Sequence, residues 1–426
     1  MNKNYLFNLA WLLLDQGVRV VSGIFVGIYV ARYLGPTDFG VLSYVLAITA
    51  LIIAVGKLGM DAIVIRETVK KHSDRKRIVS TAFWLMLAAG IVVYITTNLL
   101  SLKLHTSFTT AVYVSIITIS VIFTPFLAIE YYYQSQLRSK ISTGCRSASL
   151  ITSSLIKLYL VWTSSDLIYF VIASLLDHVL MAAFLTLSLK LPPKMQNALS
   201  FDPIIARNML RSSWPLVLSA LAVTIYMKVD QVMINAMLGP REVGIYSAAV
   251  KIYEAWILIP YTFSISILPL LVKAKNNNTQ ENYENTLKRI FSIVMWVNIV
   301  VATMVTFSGE TIIRYSFGAQ YVESHTVLTI CIWSAFFASI GSVSARYFSV
   351  EHLERKLALR TSAACLLNIL LNLVLIPHLG IEGAAFATLI CTVFSNYLMD
   401  WIDPSLKKLL KIKHMALINQ KISSKK

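Results

Sequence analysis

Long apolar runs separated by short polar segments make up most of this chain. A helix that crosses a bilayer needs about 20 consecutive, mostly apolar residues. Twelve windows near that length occur, at about 8–32, 40–59, 79–100, 110–129, 146–163, 166–189, 212–236, 243–271, 289–308, 326–349, 361–376 and 384–402. The pattern predicts an all-α polytopic membrane protein with about 12 transmembrane helices, six in each half.

A short polar turn occurs once in each half of the chain. The stretch YLGPTDFGVLSY begins at Tyr33, and MLGPREVGIYSA begins at Met237, 204 residues later. Leu, Gly, Pro, Gly and Ser recur at matching places, and Gly and Pro are the residues that commonly end helices at such turns. We interpret both turns as helix-ending turns at the outer membrane interface, and their spacing predicts two parallel, pseudo-symmetric halves.

The domain boundaries follow from this duplication and from a polar, proline-containing stretch between the sixth and seventh windows. We predict an N-terminal six-helix bundle at 1–190, a cytoplasmic linker at 191–211, a C-terminal six-helix bundle at 212–402 and a basic cytoplasmic tail at 403–426. The connecting loops are too short to hold a folded soluble domain. The N-terminal apolar run lacks a small-residue cleavage site, so we expect it to be a retained first span.

Charge supports a membrane topology rather than a soluble, nucleic-acid-binding protein. Only 14% of the residues are charged, against about 25% in soluble domains, yet the net charge is +17. With the N-terminus in the cytoplasm, the inside segments carry 28 Lys and Arg and the outside loops carry 3, while seven lie in spans. This positive-inside bias predicts a multi-pass membrane protein with both termini cytoplasmic and no nucleic-acid partner.

Cysteine and nucleotide-binding motifs point to no catalytic chemistry. The four cysteines are scattered with no CxxC pair, and the chain has no P-loop. We therefore expect no catalytic residue, no metal site and no cofactor, and no direct drive by ATP within this chain.

Charged residues within the apolar windows are the candidate functional groups, because a charge in lipid usually faces a cavity or a partner. The candidate substrate-binding cations are Arg19, Lys228 and Lys251, which reach similar depth when residues are counted inward from the outer turns. The alternative is that they form internal ion pairs with Asp15, Asp230 and Glu254. Those acids, with Asp177 and His178, are also the candidates for ion coupling by a proton or by sodium.

Other polar residues carry a structural interpretation. Lys157 adds a cation to the fifth window, whereas Lys57, Arg32 and Arg346 lie near window ends and are predicted to snorkel to the interface. The EYYYQ run that includes Glu130 is predicted to anchor the fourth helix at the cytoplasmic surface.

Four segments resemble bacterial polysaccharide transporters, and more closely the O-antigen flippase (Wzx-type) branch of the multidrug/oligosaccharidyl-lipid/polysaccharide exporter superfamily. They are NLAWLLLDQGVRVVSGIFVGIYVARYLGPTDFGVLSYVLAI, PFLAIEYYYQSQLRSK, LGPREVGIYSAAVKIYE and PHLGIEGAAFAT, beginning at residues 8, 125, 238 and 377. The resemblance implies two six-helix bundles around a central cavity and a lipid-linked oligosaccharide as substrate. It also implies membrane lipids, polysaccharide polymerase and chain-length proteins as partners.

The expected function is translocation of undecaprenyl-diphosphate-linked O-antigen or similar repeat units to the periplasmic face, by ion-coupled alternating access. A cationic cavity suits an anionic diphosphate. Two alternatives remain: a multidrug or cation antiporter of the same superfamily, which would favour acids in its cavity, and a membrane polysaccharide polymerase or glycosyltransferase. The enzyme alternative would need a large outside loop, and the longest has few charged residues. Flipping of peptidoglycan precursors is a close variant of the first function.

Overall fold

A computed structural model of the protein describes residues 3–70, 73–104, 107–189, 200–277 and 280–418, and within these ranges it is built of helices. The helices are α1 Lys3–Gly56, α2 Met60–Lys70, α3 Arg75–Leu104, α4 Phe108–Thr118, α5 Leu127–Ser135, α6 Ser139–Trp162, α7 Leu167–Ser188, α8 Pro203–Met237, α9 Pro240–Ser266, α10 Leu268–Asn277, α11 Gln280–Ser316, α12 Ser324–Val350, α13 Glu354–Val393, α14 Met399–Ile402 and α15 Lys407–Ile418. A 3₁₀ helix, Ile119–Phe126, joins α4 to α5, and a π-helical turn, Phe394–Leu398, follows α13.

Every apolar window predicted from the sequence falls on these helices. By length and composition, nine helices among the described residues can cross a membrane. Two of the nine, Ser22–Lys70 and Arg355–Ile402, run past kinks at Gly35 and Gly380 and so serve two windows each. The Ser- and Thr-rich α6 covers the fifth window and is not among those nine helices. The prediction of an all-α polytopic membrane fold is therefore confirmed.

The repeated Leu-Gly-Pro turns have the geometry that their sequence predicts. Gly35 has φ 74° and ψ 172°, and Gly239 has φ 101° and ψ 176°, a region that only glycine occupies readily. In each turn a proline follows immediately and begins the next helix, where its missing N–H costs nothing. The recurrence of Gly-Pro thus reflects one backbone turn made twice.

The chain divides into two compact units, Met1–Lys228 and Val229–Lys426, so the boundary lies within α8. In the first unit, α2, α3, α5 and α8 meet in an apolar cluster that includes Met60, Ile78, Ala128 and Met209. In the second unit, α10, α11, α12 and α15 meet in another. Because α15 buries its apolar face in that cluster, the helix after the last apolar window is an integral part of the second unit.

Close backbone packing at Gly383 gives a first testable prediction. A Cβ atom added there would lie 2.3 Å from the carbonyl oxygen of Leu375, across the kink of α13. Gly383→Ala is therefore expected to destabilise the protein by about 1–3 kcal/mol, measured as a lower midpoint of thermal unfolding in detergent. Gly144→Ala in α6 is the control, because a Cβ atom there meets nothing within 4 Å. Equal midpoints for the two variants would contradict the close approach.

Candidate functional site

The predicted cavity cations lie on the helices that the sequence indicates. Lys228 lies near the end of α8 and Lys251 lies in α9, and both side chains are half-buried. Glu254, one turn after Lys251, is also half-buried. Arg19 and Asp15 belong to α1, and their side chains lie outside the described part of the chain. The assignment of these cations to a substrate cavity stays a prediction.

Asp230 forms the centre of a buried polar cluster in the second unit. Its side chain is 5% exposed, and its two oxygens accept hydrogen bonds from three neutral groups. The Tyr246 hydroxyl and the Thr388 hydroxyl each donate to Oδ2 at 2.7 Å, and Asn372 Nδ2 donates to Oδ1 at 2.6 Å. Asn368 Oδ1 in turn accepts from Asn372 Nδ2 at 3.2 Å. We call these five residues the Asp230 cluster.

Helix geometry explains how the cluster assembles. Asn368 and Asn372 are four residues apart, so they lie on one face of α13. The chain then bends at Gly380, where φ is 61°, and returns so that Thr388 lies beside the same face. Tyr246 comes from α9, two turns after the Gly239 turn. Three helical segments thus converge on one carboxylate.

The Asp230 cluster has the donor set of a small-cation or proton site. Its oxygens are one carboxylate, two hydroxyls and two amide carbonyls, the hard ligands that alkali and alkaline-earth ions prefer. Asn372 is fully buried, and its Oδ1 has no hydrogen-bond partner. One carboxylate among neutral oxygens suits a single positive charge rather than two. Within the described residues, no group of three His, Cys, Asp or Glu side chains could hold a metal ion.

The remaining coupling candidates, Asp177 and His178, lie in the first unit. Asp177 Oδ2 accepts from Lys157 Nζ at 2.8 Å, joining α7 to α6. Both residues line a cavity of about 240 Å³ together with Lys57 and Arg146. The structure therefore separates the predicted acids: Asp230 has neutral partners, whereas Asp177 is ion-paired at a cavity wall.

One interpretation from the sequence is corrected by the structure. Glu130 is not an interfacial anchor, because its side chain is 3% exposed and pairs with Arg146 across α5 and α6. Counting residues from the helix end placed it at the membrane surface because such counting cannot show which face of a helix is covered by neighbours. Lys57 lines the cavity of the first unit, and its snorkelling role stays a prediction.

Sequence reasoning also missed the neutral members of the Asp230 cluster. Asn368 and Asn372 stand four apart in the apolar run LLNILLNLVLIP, which is a usable signal because amides in lipid need partners. Searching only for charged residues overlooked it. Tyr246 and Thr388 carry no such signal, since hydroxyl groups are common in spans and can bond within their own helix.

Comparisons with known proteins agree with this fold. The family model described as "Polysaccharide biosynthesis protein" matches residues 29–326. A curated protein of Haloferax volcanii, "Probable low-salt glycan biosynthesis flippase Agl15", is 24% identical over 183 residues, which cover 43% of this chain and 39% of that protein. The chain thus matches well under half of that relative's length.

Two solved structures are similar over nearly the whole chain. The lipid II flippase MurJ in an inward closed conformation has a TM-score of 0.74 at 19% identity, covering 97% of this chain and 91% of that one. An inward-facing multidrug resistance MATE family transporter of the MOP superfamily has a TM-score of 0.72 at 14% identity, covering 95% and 96%. At such identities the likeness shows the fold alone.

The family match covers more than half of the chain, and the two similar structures are of a flippase and a transporter rather than of a polymerase or glycosyltransferase. The resemblance to polysaccharide transporters identified from the four sequence segments is confirmed at the level of the family, and the chain belongs to the polysaccharide biosynthesis protein family, with a fold shared with MurJ and a MATE family transporter.

Proposed function

We propose that the protein is a flippase that moves a polyprenyl-diphosphate-linked oligosaccharide, such as an O-antigen repeat unit, from the cytoplasmic to the periplasmic face of the inner membrane. The observation that carries the proposal is the family match over residues 29–326 in a chain with a flippase-like fold. The glycan flippase relative supports the same substrate class. The lipid tail stays in the bilayer while the polar head crosses by alternating access.

The diphosphate is the group that requires cations. It carries negative charge that lipid cannot solvate, and Lys or Arg side chains satisfy it by charge-assisted hydrogen bonds. Lys228 and Lys251 are half-buried on α8 and α9, which suits a role that needs access to substrate. With Arg19 they form the set that we assign to the diphosphate. A basic tail at 403–426 suits binding to anionic lipids.

Ion coupling is assigned to the Asp230 cluster. The cluster is buried, holds a single carboxylate and leaves the Asn372 carbonyl oxygen unpartnered. A sodium ion would take that oxygen as a ligand, and a proton would neutralise the carboxylate. Either cation would change the hydrogen bonding between α8 and α13. Coupling requires that the cation bind one conformation of the protein more tightly than the other, and such a change in hydrogen bonding supplies that difference.

The test is complementation of a strain that lacks the gene. Loss of the protein is expected to remove surface polysaccharide and to cause lipid-linked repeat units to accumulate on the inner face. Charge reversal of Arg19, Lys228 or Lys251 to Glu is expected to give the same defect, because it places a negative charge beside the diphosphate. Surface polysaccharide is measured on gels, and the lipid-linked units by extraction.

Two outcomes would count against this assignment. Normal polysaccharide in a triple Ala variant at these positions would refute the role of the cations. Normal polysaccharide in the deletion strain, with no accumulated intermediate, would refute the flippase itself. Arg314→Glu is the control, because Arg314 is exposed at the end of α11 and pairs only with Glu310 along the same helix among its recorded ion pairs.

A multidrug or cation antiporter is the second candidate, and it is favoured by the fold similarity to a MATE transporter. The same deletion strain separates the two functions. An antiporter would change the resistance of cells to cationic drugs and leave lipid-linked intermediates at their normal level. The flippase would do the reverse.

A further inference from the structure

The cavity of the first unit has a composition that neither the diphosphate nor the coupling ion explains. It measures about 240 Å³ and is lined by residues at the end of α1 and in the 3₁₀ helix before α5, α5 itself, α6 and α7. Ligand pockets for drug-sized molecules are about 300–1,000 Å³. The volume therefore fits one small ring rather than a whole oligosaccharide.

The charges on the cavity wall are mixed in sign. Lys57 and Arg146 bring cations, and Asp177 brings a carboxylate. Arg146 is bonded to buried Glu130, and Lys157 holds Asp177 from outside the lining. The carboxylate on the wall disfavours an anion, and Lys57 and Arg146 disfavour a cation. The wall suits an uncharged ligand that both donates and accepts hydrogen bonds.

A carboxylate oxygen without a hydrogen-bond donor also favours a ligand that carries hydroxyl groups. Asp177 lines the cavity, and its Oδ1 is buried and has no hydrogen-bond partner among the described residues. A buried carboxylate oxygen without a donor costs free energy, so such an atom marks a place where a hydroxyl group would be stabilising. His178 also lines the cavity and can donate or accept.

The lining also contains apolar side chains. Phe123 and Phe126 are among them, and their rings are stacked, with 6.5 Å between centroids and 26° between planes. Aromatic faces pack well against C–H groups. This combination of aromatic rings with hydrogen-bond donors and acceptors matches the two kinds of surface on a pyranose ring.

We propose that this cavity is a sugar subsite, which binds one neutral pyranose ring of the transported oligosaccharide and selects among repeat units. The ring's hydroxyls donate to Asp177 and accept from Arg146 and Lys57, while its C–H face packs on Phe123 and Phe126. The proposal rests on the flippase function and deepens it, since it assigns sugar recognition to residues distinct from the cations assigned to the diphosphate.

The experiment measures sugar binding directly, on the full-length protein in nanodiscs, by saturation-transfer NMR. The probes are the methyl glycosides of glucose, galactose and N-acetylglucosamine, each at about 10 mM, because a single sugar is expected to bind with millimolar Kd. Met181→Trp fills the cavity from α7, and Leu150→Phe fills it from α6. Ala183→Trp is the matched control, since Ala183 is exposed on the same helix as Met181.

The wild type and Ala183→Trp are expected to show transfer to at least one glycoside. Both cavity-filling variants are expected to lose at least about 80% of it, which at about 10 mM glycoside and a wild-type Kd of about 1 mM corresponds to a rise in Kd of about 50-fold. Retention of the signal in both filled variants, or its absence for every glycoside in the wild type, overturns the proposal. Displacement of a bound glycoside by inorganic pyrophosphate also overturns it, because the site would then be an anion site. Leu150→Phe keeps the test decisive where Met181→Trp fails to fold.

The outcome is separable from that of the proposed function. If the proposed flippase function is wrong, the amount of lipid-linked intermediates in the deletion strain is unchanged, and no binding measurement affects that result. Failure of the sugar subsite shows as absent or undisturbed glycoside binding, and the deletion strain can still accumulate intermediates. In cells, the sugar subsite predicts that Met181→Trp lowers the amount of surface polysaccharide by about tenfold, while Ala183→Trp leaves that amount unchanged.

Discussion

Asp400→Asn is expected to destabilise the protein by about 3–5 kcal/mol, the range measured when one member of a buried ion pair is removed. Asp400 is fully buried at the C-terminal end of the apolar region. Its Oδ1 accepts from Arg360 Nη2 at 2.5 Å, and its Oδ2 accepts from Lys413 Nζ. The substitution leaves both cations buried without their counter-charge.

Aromatic rings give these cations only partial compensation. The Arg360 guanidinium lies 4.8 Å from the centroid of Phe348, and Lys413 Nζ lies 5.6 Å from that of Phe291. Such contacts contribute about 0.5–2 kcal/mol each, which is less than the desolvation of a buried charge. Because Lys413 belongs to α15, loss of Asp400 is expected to release that helix from α11 before the rest of the unit unfolds.

The variant should also respond to pH in a defined direction. Burial lowers the pKa of the Lys413 ammonium below its ordinary value of 10.5, and Asp400 opposes that shift. Without Asp400 the pKa falls further, so the folded state binds fewer protons than the unfolded state. The stability of Asp400→Asn should therefore rise as pH increases from the lowered pKa towards 10.5.

Thermal unfolding in detergent at two pH values measures both effects. Asp403→Asn is the matched control, because Asp403 pairs with Lys356 at 2.5 Å but both side chains are about one-third exposed. Lys356 lowers the pKa of Asp403, and an exposed pair of this kind is worth at most about 1 kcal/mol. Equal losses of stability in Asp400→Asn and Asp403→Asn would show that burial of the Asp400 ion pairs does not add to their contribution to stability.

Asp230→Asn is expected to reduce flipping by about 100-fold while the protein stays folded, since coupling energies of 1–3 kcal/mol correspond to factors of about 5–150. The asparagine has the shape of the aspartate, and its one carbonyl oxygen can still accept hydrogen bonds. It removes the negative charge that would hold a sodium ion or accept a proton. The hydrogen bonds recorded for the Asp230 carboxylate come from Tyr246, Asn372 and Thr388, and none of these partners carries a carboxylate that could replace it.

The measurement is transport of the lipid-linked oligosaccharide in proteoliposomes, with either a sodium gradient or a pH gradient imposed. The wild type should respond to one of them, and that response identifies the ion. Glu310→Gln serves as control, because this acid is exposed on α11. A normal gradient response in Asp230→Asn would remove the cluster from the coupling mechanism, and a fall in its unfolding midpoint as large as that of Asp400→Asn would assign it a structural role instead.

The helices and turns of this protein are predictable because each depends on local sequence. The length of the apolar windows predicts the spans. Gly35 and Gly239, each followed by proline, predict the two turns, because both glycines adopt a positive φ that other residues rarely adopt. The clusters depend on which helix faces meet, and a single sequence does not reveal that. Thus Asp230 was found from its charge, but its partners Asn372 and Thr388 lie 142 and 158 residues away.

The bend of α13 at Gly380 has a consequence for how the protein is made. Asn368 and Thr388, on the two arms of the bend, are only 20 residues apart, whereas Thr388 and Asp230 are 158 apart. Contacts between nearby residues form earlier because less chain entropy is lost on closing the loop. The two arms can therefore enter the bilayer as a helical hairpin whose amide and hydroxyl satisfy each other, which lowers the cost of inserting polar groups into lipid. Docking against α8 then completes the Asp230 cluster late in biogenesis, so assembly of this cluster reports that the second unit has folded.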